Sequence, residues 1–139
     1  MKTLRDAIIE LLRGQTMFIA LRKRDLDMES PEYKEQIGNV MAVINEALVI
    51  LTEYVNQFKT LLSNELPPTA KERIQSAKII LENARDHIVI DFTRSQNAEK
   101  LSEAAEAIKN TKDHWDKARE ELTETKLQPA QQEAFRKAA

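Results

Sequence analysis

Residues 31–63 read PEYKEQIGNVMAVINEALVILTEYVNQFKTLLS, and this stretch decides the fold. Ile37, Val40, Ile44, Ala47, Leu51, Tyr54, Phe58 and Leu61 recur in alternating steps of three and four residues, which is the spacing of one face of an α-helix. A second row, Met41, Leu48, Val55 and Leu62, lies beside the first. Together they make a face too wide for a two-stranded seam, so this helix needs at least two neighbours. Ser30 supplies an N-cap and Pro31 suits the first helical position, where a missing N–H costs nothing.

Outward from this element, the rest of the chain repeats the pattern. Leu4, Ala7, Leu11, Gly14, Phe18 and Leu21 form a stripe over residues 4–24. Ile74, Ala77, Leu81, Ala84 and Ile88 do so over 70–93, and Leu101, Ala104, Ile108, Thr111, Trp115, Ala118, Leu122 and Thr125 over 98–126. Large and small residues alternate along each stripe, which lets helices approach while the large side chains interdigitate. Gly14 costs about 1 kcal/mol against Ala inside a helix, and close approach by another helix is the expected reason, with a kink as the alternative. The expected fold is all-α: an antiparallel up-down-up-down four-helix bundle, residues 1–127, with a long central second helix and a polar C-terminal tail, 128–139.

The breaks are short. Pro67 and Pro68 stop the second helix, and Thr69 with Glu72 forms a candidate capping box for the third. Around residues 93–97 the punctuation is weak, with Asn97 as cap and no Gly or Pro, so the third and fourth helices are either separate or continuous. At 1.5 Å per residue the second helix is about 50 Å long and the first about 30 Å. Its far end, with Phe58, Leu61 and Leu62, is therefore expected to outrun its neighbour, expose apolar surface and be covered by a second copy of the chain.

Composition narrows the function classes. The chain has 139 residues, no Cys, two Gly, 21 basic and 23 acidic residues and a net charge of −2, and its segment sums stay between −3 and +1. These values leave no disulfide framework, no thiolate zinc site and no basic coat for nucleic acid. No run reaches the roughly 18 uninterrupted apolar residues of a membrane span, and charges interrupt the start of the chain, so a cytoplasmic protein with no membrane role is expected.

The antiparallel arrangement places Arg22, Lys23, Arg24, Tyr33, Lys34, His87, Asp91, Arg94 and Lys100 at one pole. Arg22, Lys23 and Arg24 are candidates for anion or nucleic-acid binding, set against a plain role at the negative end of a helix. Asp91 falls where the third stripe calls for an apolar side chain, with His87 one turn earlier and Tyr33 and Arg94 within reach. Tyr33, His87, Asp91 and Arg94 are thus the ligand or partner candidates. A His–Asp pair suits acid–base work, and a polar clamp between the second and third helices is the plainer alternative.

Metal chemistry is not expected. Di-iron bundles use inward Glu and Glu-x-x-His pairs, whereas Glu32, Glu35, Glu103 and Glu106 all lie opposite the core stripes and no His follows at the required place. The same placement weighs against the inward acidic clusters that hold Mg²⁺ in all-α nucleotide pyrophosphatases. The Arg and His spacing of HEPN-type helical RNases fails at both His87 and His114, and no glycine-rich phosphate loop or nucleophile elbow is present. Trp115 reads as core, and His114 beside it as exposed. The function expected from this balance is a non-enzymatic interaction module, an adaptor, regulator or accessory protein of a bacterial or phage kind, without cofactor, working through a helix face or a homodimer. A ligand-binding or catalytic bundle at the His87/Asp91 pole and nucleic-acid binding through Arg22–Lys23–Arg24 are the alternatives.

Overall fold

The computed structural model describes residues 2–123. Its first helix, α1 (Leu4–Lys23), starts on a reciprocal capping box. The Asp6 carboxylate accepts from the Thr3 N–H at 2.8 Å, and Thr3 Oγ1 accepts from the Asp6 N–H at 3.3 Å. That backbone hydrogen bond holds the Asp6 carboxyl below its ordinary value. Helix α2 (Pro31–Leu62) starts as the sequence indicates, with Ser30 Oγ accepting from the Tyr33 N–H and Pro31 in the first turn.

Helix α3 (Pro68–His87) departs from expectation at its start, because the Thr69–Glu72 box is not its cap. The Pro67 carbonyl already accepts from the Lys71 N–H at 2.9 Å, so the helix begins with Pro68, and Thr69 falls inside the first turn. Helix α4 (Glu99–Thr123) follows a turn in which Asn97 Oδ1 accepts from the Glu99 N–H. The third and fourth helices are therefore separate. The expected end of α4 at 126, Thr125 on its stripe and the tail 128–139 lie outside the described residues.

Between α3 and that turn the backbone widens into a π-helical segment, Ile88–Arg94. Bonds from i to i+5 put more residues in each turn, so the apolar stripe continues from Ile88 to Phe92 rather than to Asp91. Ile88 and Phe92 are fully buried, and Asp91 rotates to a half-buried position, correcting its expected place on the core stripe. The segment closes with Gln96 in the left-handed region at φ 54°. There the Gln96 N–H donates to Phe92 O at 2.8 Å and the Asn97 N–H to Asp91 O at 2.9 Å. Each bond spans one residue more than in the Schellman ending of an α-helix, as the wider turn requires.

All four helices pack together, α1 against α2 and α4, and α3 against α2 and α4. The small residues act as the alternation suggests. At Gly14 an added Cβ would sit 2.5 Å from Ile44 Cδ1 and 3.6 Å from Val43 Cγ1, so α2 presses directly on the α1 backbone. Aromatic rings tie the layers across the core: Phe18 meets Phe92 edge-on at 5.2 Å, and Phe58 meets Trp115 at 5.2 Å. Burial of Phe18, Phe58 and Phe92 stabilises the fold by about 2–3 kcal/mol each. Thr111, the one fully buried polar residue among those described, satisfies its hydroxyl on the Ala107 carbonyl.

The far end of α2 is covered from within. Phe58 and Leu61 are fully buried and only Leu62 is partly open, which overturns the expected exposed apolar end. Trp115 of α4 lies on Phe58, and Leu66 folds back into the same cluster. By length and composition α2 alone among the described helices is apolar enough to cross a membrane. Val40, Ile44, Leu51, Val55 and Phe58, which make it so, are the residues it buries against its neighbours.

Candidate functional site

His87 ends α3 and Asp91 stands one turn further on, so the two meet without help from tertiary packing: His87 Nδ1 lies 3.0 Å from Asp91 Oδ2. The His87 side chain is 68% exposed and that of Asp91 29%. Because the pair belongs to one continuous helical run, it does not clamp α2 to α3, and that expectation is corrected. On the facing helix Lys100 bonds Glu103 at 3.0 Å, and this hydrogen bond raises the Lys100 ammonium above its ordinary value.

Between the two ion pairs runs a shallow groove of about 220 Å³. Ala84, Ala104 and Ala107 form part of its lining, with His87, Lys100 and Glu103 also around it. The small side chains keep α3 and α4 close while leaving a depression above them. Acid–base catalysis asks for a desolvated, poised group beside a bound substrate. Here the imidazole stands mostly in water and each of its charged neighbours is already paired.

Tyr33 of the expected pole falls elsewhere. It is buried and lines a separate cleft of about 130 Å³ with Arg22, Asp25, Leu26, Met28 and Gln96, where the end of α1 meets the turn after the π segment. Arg94, in the same π segment as Asp91, is exposed and forms no ion pair among the described residues. Tyr33 thus stands apart from the His87/Asp91 pair.

The basic trio is largely engaged. Arg24 pairs with Glu32 of α2, and the Arg22 guanidinium sits 5.3 Å from the Phe18 ring centroid. Lys23 alone stands clear. The α1 helix turns off at Asp25, which takes the left-handed conformation at φ 51° and donates its N–H to Arg22 O. Glu32, Glu35, Glu103 and Glu106 are all exposed, as their heptad positions indicate. The described residues contain no cluster of three or more His, Cys, Asp or Glu able to hold a metal ion. Trp115 is core, at 2% exposure, whereas His114 is half-buried rather than exposed because α4 packs broadly against both neighbours.

Sequence reasoning missed two features that the structure adds. One is an apolar row on the outside of α1: Ile9, Leu12 and Ile19 are 49%, 42% and 41% exposed. Its signal is present in the sequence, since α1 carries apolar residues on two faces. The other is a cleft at the start of α1, lined by Leu4, Arg5, Tyr54, Lys112, Trp115, Asp116 and Arg119. Comparison with protein-family models, with curated proteins and with solved structures returns no match for this chain.

Proposed function

We propose that the chain is a non-enzymatic interaction module, an up-down-up-down four-helix bundle that docks a protein partner on the outer face of α1. The observation that carries this reading is the exposed row Ile9, Leu12 and Ile19. These residues recur at helical spacing on the side of α1 away from Ala7, Leu11, Gly14 and Phe18, so the helix has a second apolar stripe that its own fold leaves uncovered. Arg5 and Lys23 stand near the two ends of the stripe, exposed and without ion pairs among the described residues. A partner of matching chemistry presents an apolar helix face with acidic residues toward its ends.

A second copy of the chain fits this face poorly. Parallel stripes would set Arg5 beside Arg5 and Lys23 beside Lys23, and antiparallel stripes would set Arg5 beside Lys23. The ion pairs of the His87/Asp91 groove and of Arg24, and the seating of Arg22 on the Phe18 ring, give less support to the catalytic and nucleic-acid alternatives.

The test is affinity capture from the native host with three baits: the native chain, a Leu12→Glu/Ile19→Glu variant, and Ile79→Glu as an exposed control on α3. The expected result is a protein held by the native and Ile79→Glu baits and weakened at least about tenfold by the α1 variant, the scale of losing a central apolar anchor. Equal retention by all three baits overturns the reading.

A homodimer is the second reading, and one observation favours it. Gly38, with Ala42, Asn45 and Val49, lies on the uncharged outer side of α2, and a Cβ added at Gly38 would meet nothing within 4 Å. A helix-interior glycine without an internal reason is explained if another α2 approaches there. Sedimentation of the native chain and of Val49→Lys decides this: a native dimer dissociated by Val49→Lys supports it, and a native monomer at high micromolar concentration removes it.

A further inference from the structure

The cleft at the start of α1 has a composition that the interaction-module reading does not use. It measures about 210 Å³ and opens between the first turn of α1, the second half of α2 and the second half of α4. Its apolar wall is Leu4, Tyr54 and Trp115, all at most 3% exposed. Among the described residues its rim carries three cations, Arg5, Lys112 and Arg119, and one carboxylate, Asp116. The nearby carboxylate of Asp6 is occupied in capping Thr3.

We propose that this cleft binds a small organic oxyanion, a carboxylate or phosphate group on an apolar body. The internal contacts indicate how. Asp116 accepts from Lys112 at 2.7 Å and from Arg119 at 3.0 Å, so a carboxylate of the protein already occupies the place between two cations where the anionic group of a ligand is wanted. Arg5 faces the same opening and has no ion pair among the described residues. An incoming oxyanion gains Arg5 and shares Lys112 and Arg119 with Asp116, while its apolar body lies against Leu4 and the indole edge. The volume limits the ligand to a small metabolite, below the roughly 300–1,000 Å³ of sites for drug-sized molecules. Tyr54 helps to keep the wall rigid: it has a backbone hydrogen bond with Leu4, and burial raises its hydroxyl above its ordinary value, so it remains a neutral phenol.

Trp115 is the sole Trp of the chain, which makes its fluorescence a reporter of this one cleft. The experiment titrates the full chain with phenyl phosphate and benzoate, excited at the red edge of indole absorption, with benzyl alcohol as the uncharged control and inorganic phosphate as the control without an apolar body. Chemical-shift changes at the Trp115 indole N–H provide a second readout. Saturable binding of either aromatic anion, weakened about fivefold by Arg5→Ala or Lys112→Ala and strengthened by Asp116→Asn, supports the proposal. Asp116→Asn is the sharp arm, because removing a structural partner would not tighten a ligand unless that carboxylate competes with it. No saturable change up to about ten millimolar, or binding indifferent to Arg5→Ala and Asp116→Asn, overturns it. Benzyl alcohol binding as well as benzoate also overturns it, since the cleft would then be merely apolar.

Discussion

The two glycines of the chain lie in helices that touch, yet they stand in opposite surroundings. Gly14 of α1 is buried under Ile44 and Val43, where the missing Cβ is what allows the helices to meet. Gly38 of α2 faces open space. Each weakens its helix by about the same amount relative to Ala. Only Gly14 recovers that loss inside the molecule, through close packing of two apolar stripes. A residue type alone therefore says little about its role; the distance from its absent side chain to the nearest atom says much more.

The strongest way to break this comparison is to fill Gly14. Gly14→Val places two methyl groups against a fully buried Ile44, and overpacking of this kind is expected to cost about 3 kcal/mol in chemical denaturation. Trimming the obstacle tests the cause. Ile44→Val removes the Cδ1 atom that an added Cβ would strike, so Gly14→Ala should be tolerated better in that background than alone, with a coupling of about 1 kcal/mol. Additive costs would show that Gly14 matters for a reason other than Ile44.

Gly38→Ala is expected to move stability the other way, raising it by about 1 kcal/mol, because the new Cβ meets nothing and the helix gains propensity. This variant also sharpens the homodimer reading. A chain that becomes more stable and self-associates less would assign Gly38 to a contact between copies, and one that becomes more stable with unchanged mass would leave the glycine without a packing role.

The close approach at Gly14 was legible in the sequence, as were the four helical stripes, the Ser30–Pro31 start and the core position of Trp115, because each follows from a repeat of 3.6 residues or from local backbone chemistry. Asp91 was misplaced for the same reason: extending an α-helical rhythm through Ile88–Arg94 assumes the turn that the π segment replaces. The cover over Phe58 and Leu61 was hidden because helix lengths, taken pair by pair, leave out Leu66 folding back and Trp115 reaching across. For the candidate site, His87 and Asp91 at i, i+4 were readable as a pair, but their separation from Tyr33 was not. Placing helix ends at one pole fixes neighbouring backbones and leaves side-chain direction open.

A converse to Gly38 exists where a glycine would help and is missing. Gln96 closes the π segment at φ 54°, a region that favours glycine. Gln96→Gly removes that strain and also loosens the unfolded chain, so a net gain of about 0.5 kcal/mol is expected from the denaturation midpoint. A loss would mean that the Gln96 side chain, which lines the Tyr33 cleft, contributes more than the backbone strain costs.

The smallest expected effect lies about three turns before Gly14, at the Thr3 cap of α1. The Thr3 N–H bond holds the Asp6 carboxyl below its ordinary value, so the folded state favours the ionised form. Its contribution is then fully present above the unfolded carboxyl range and is lost as pH falls through the still lower folded value. Hydrogen exchange of the first-turn amides, followed from pH 5 to pH 2, should show α1 opening at Thr3–Ala7 while amides around Gly14 keep their protection. Asp6→Asn should abolish the pH dependence at the first turn. Simultaneous opening at Gly14 would show that the cap and the Ile44 contact form one cooperative unit, and the contrast between a packed and an unpacked glycine would then extend along the whole of α1.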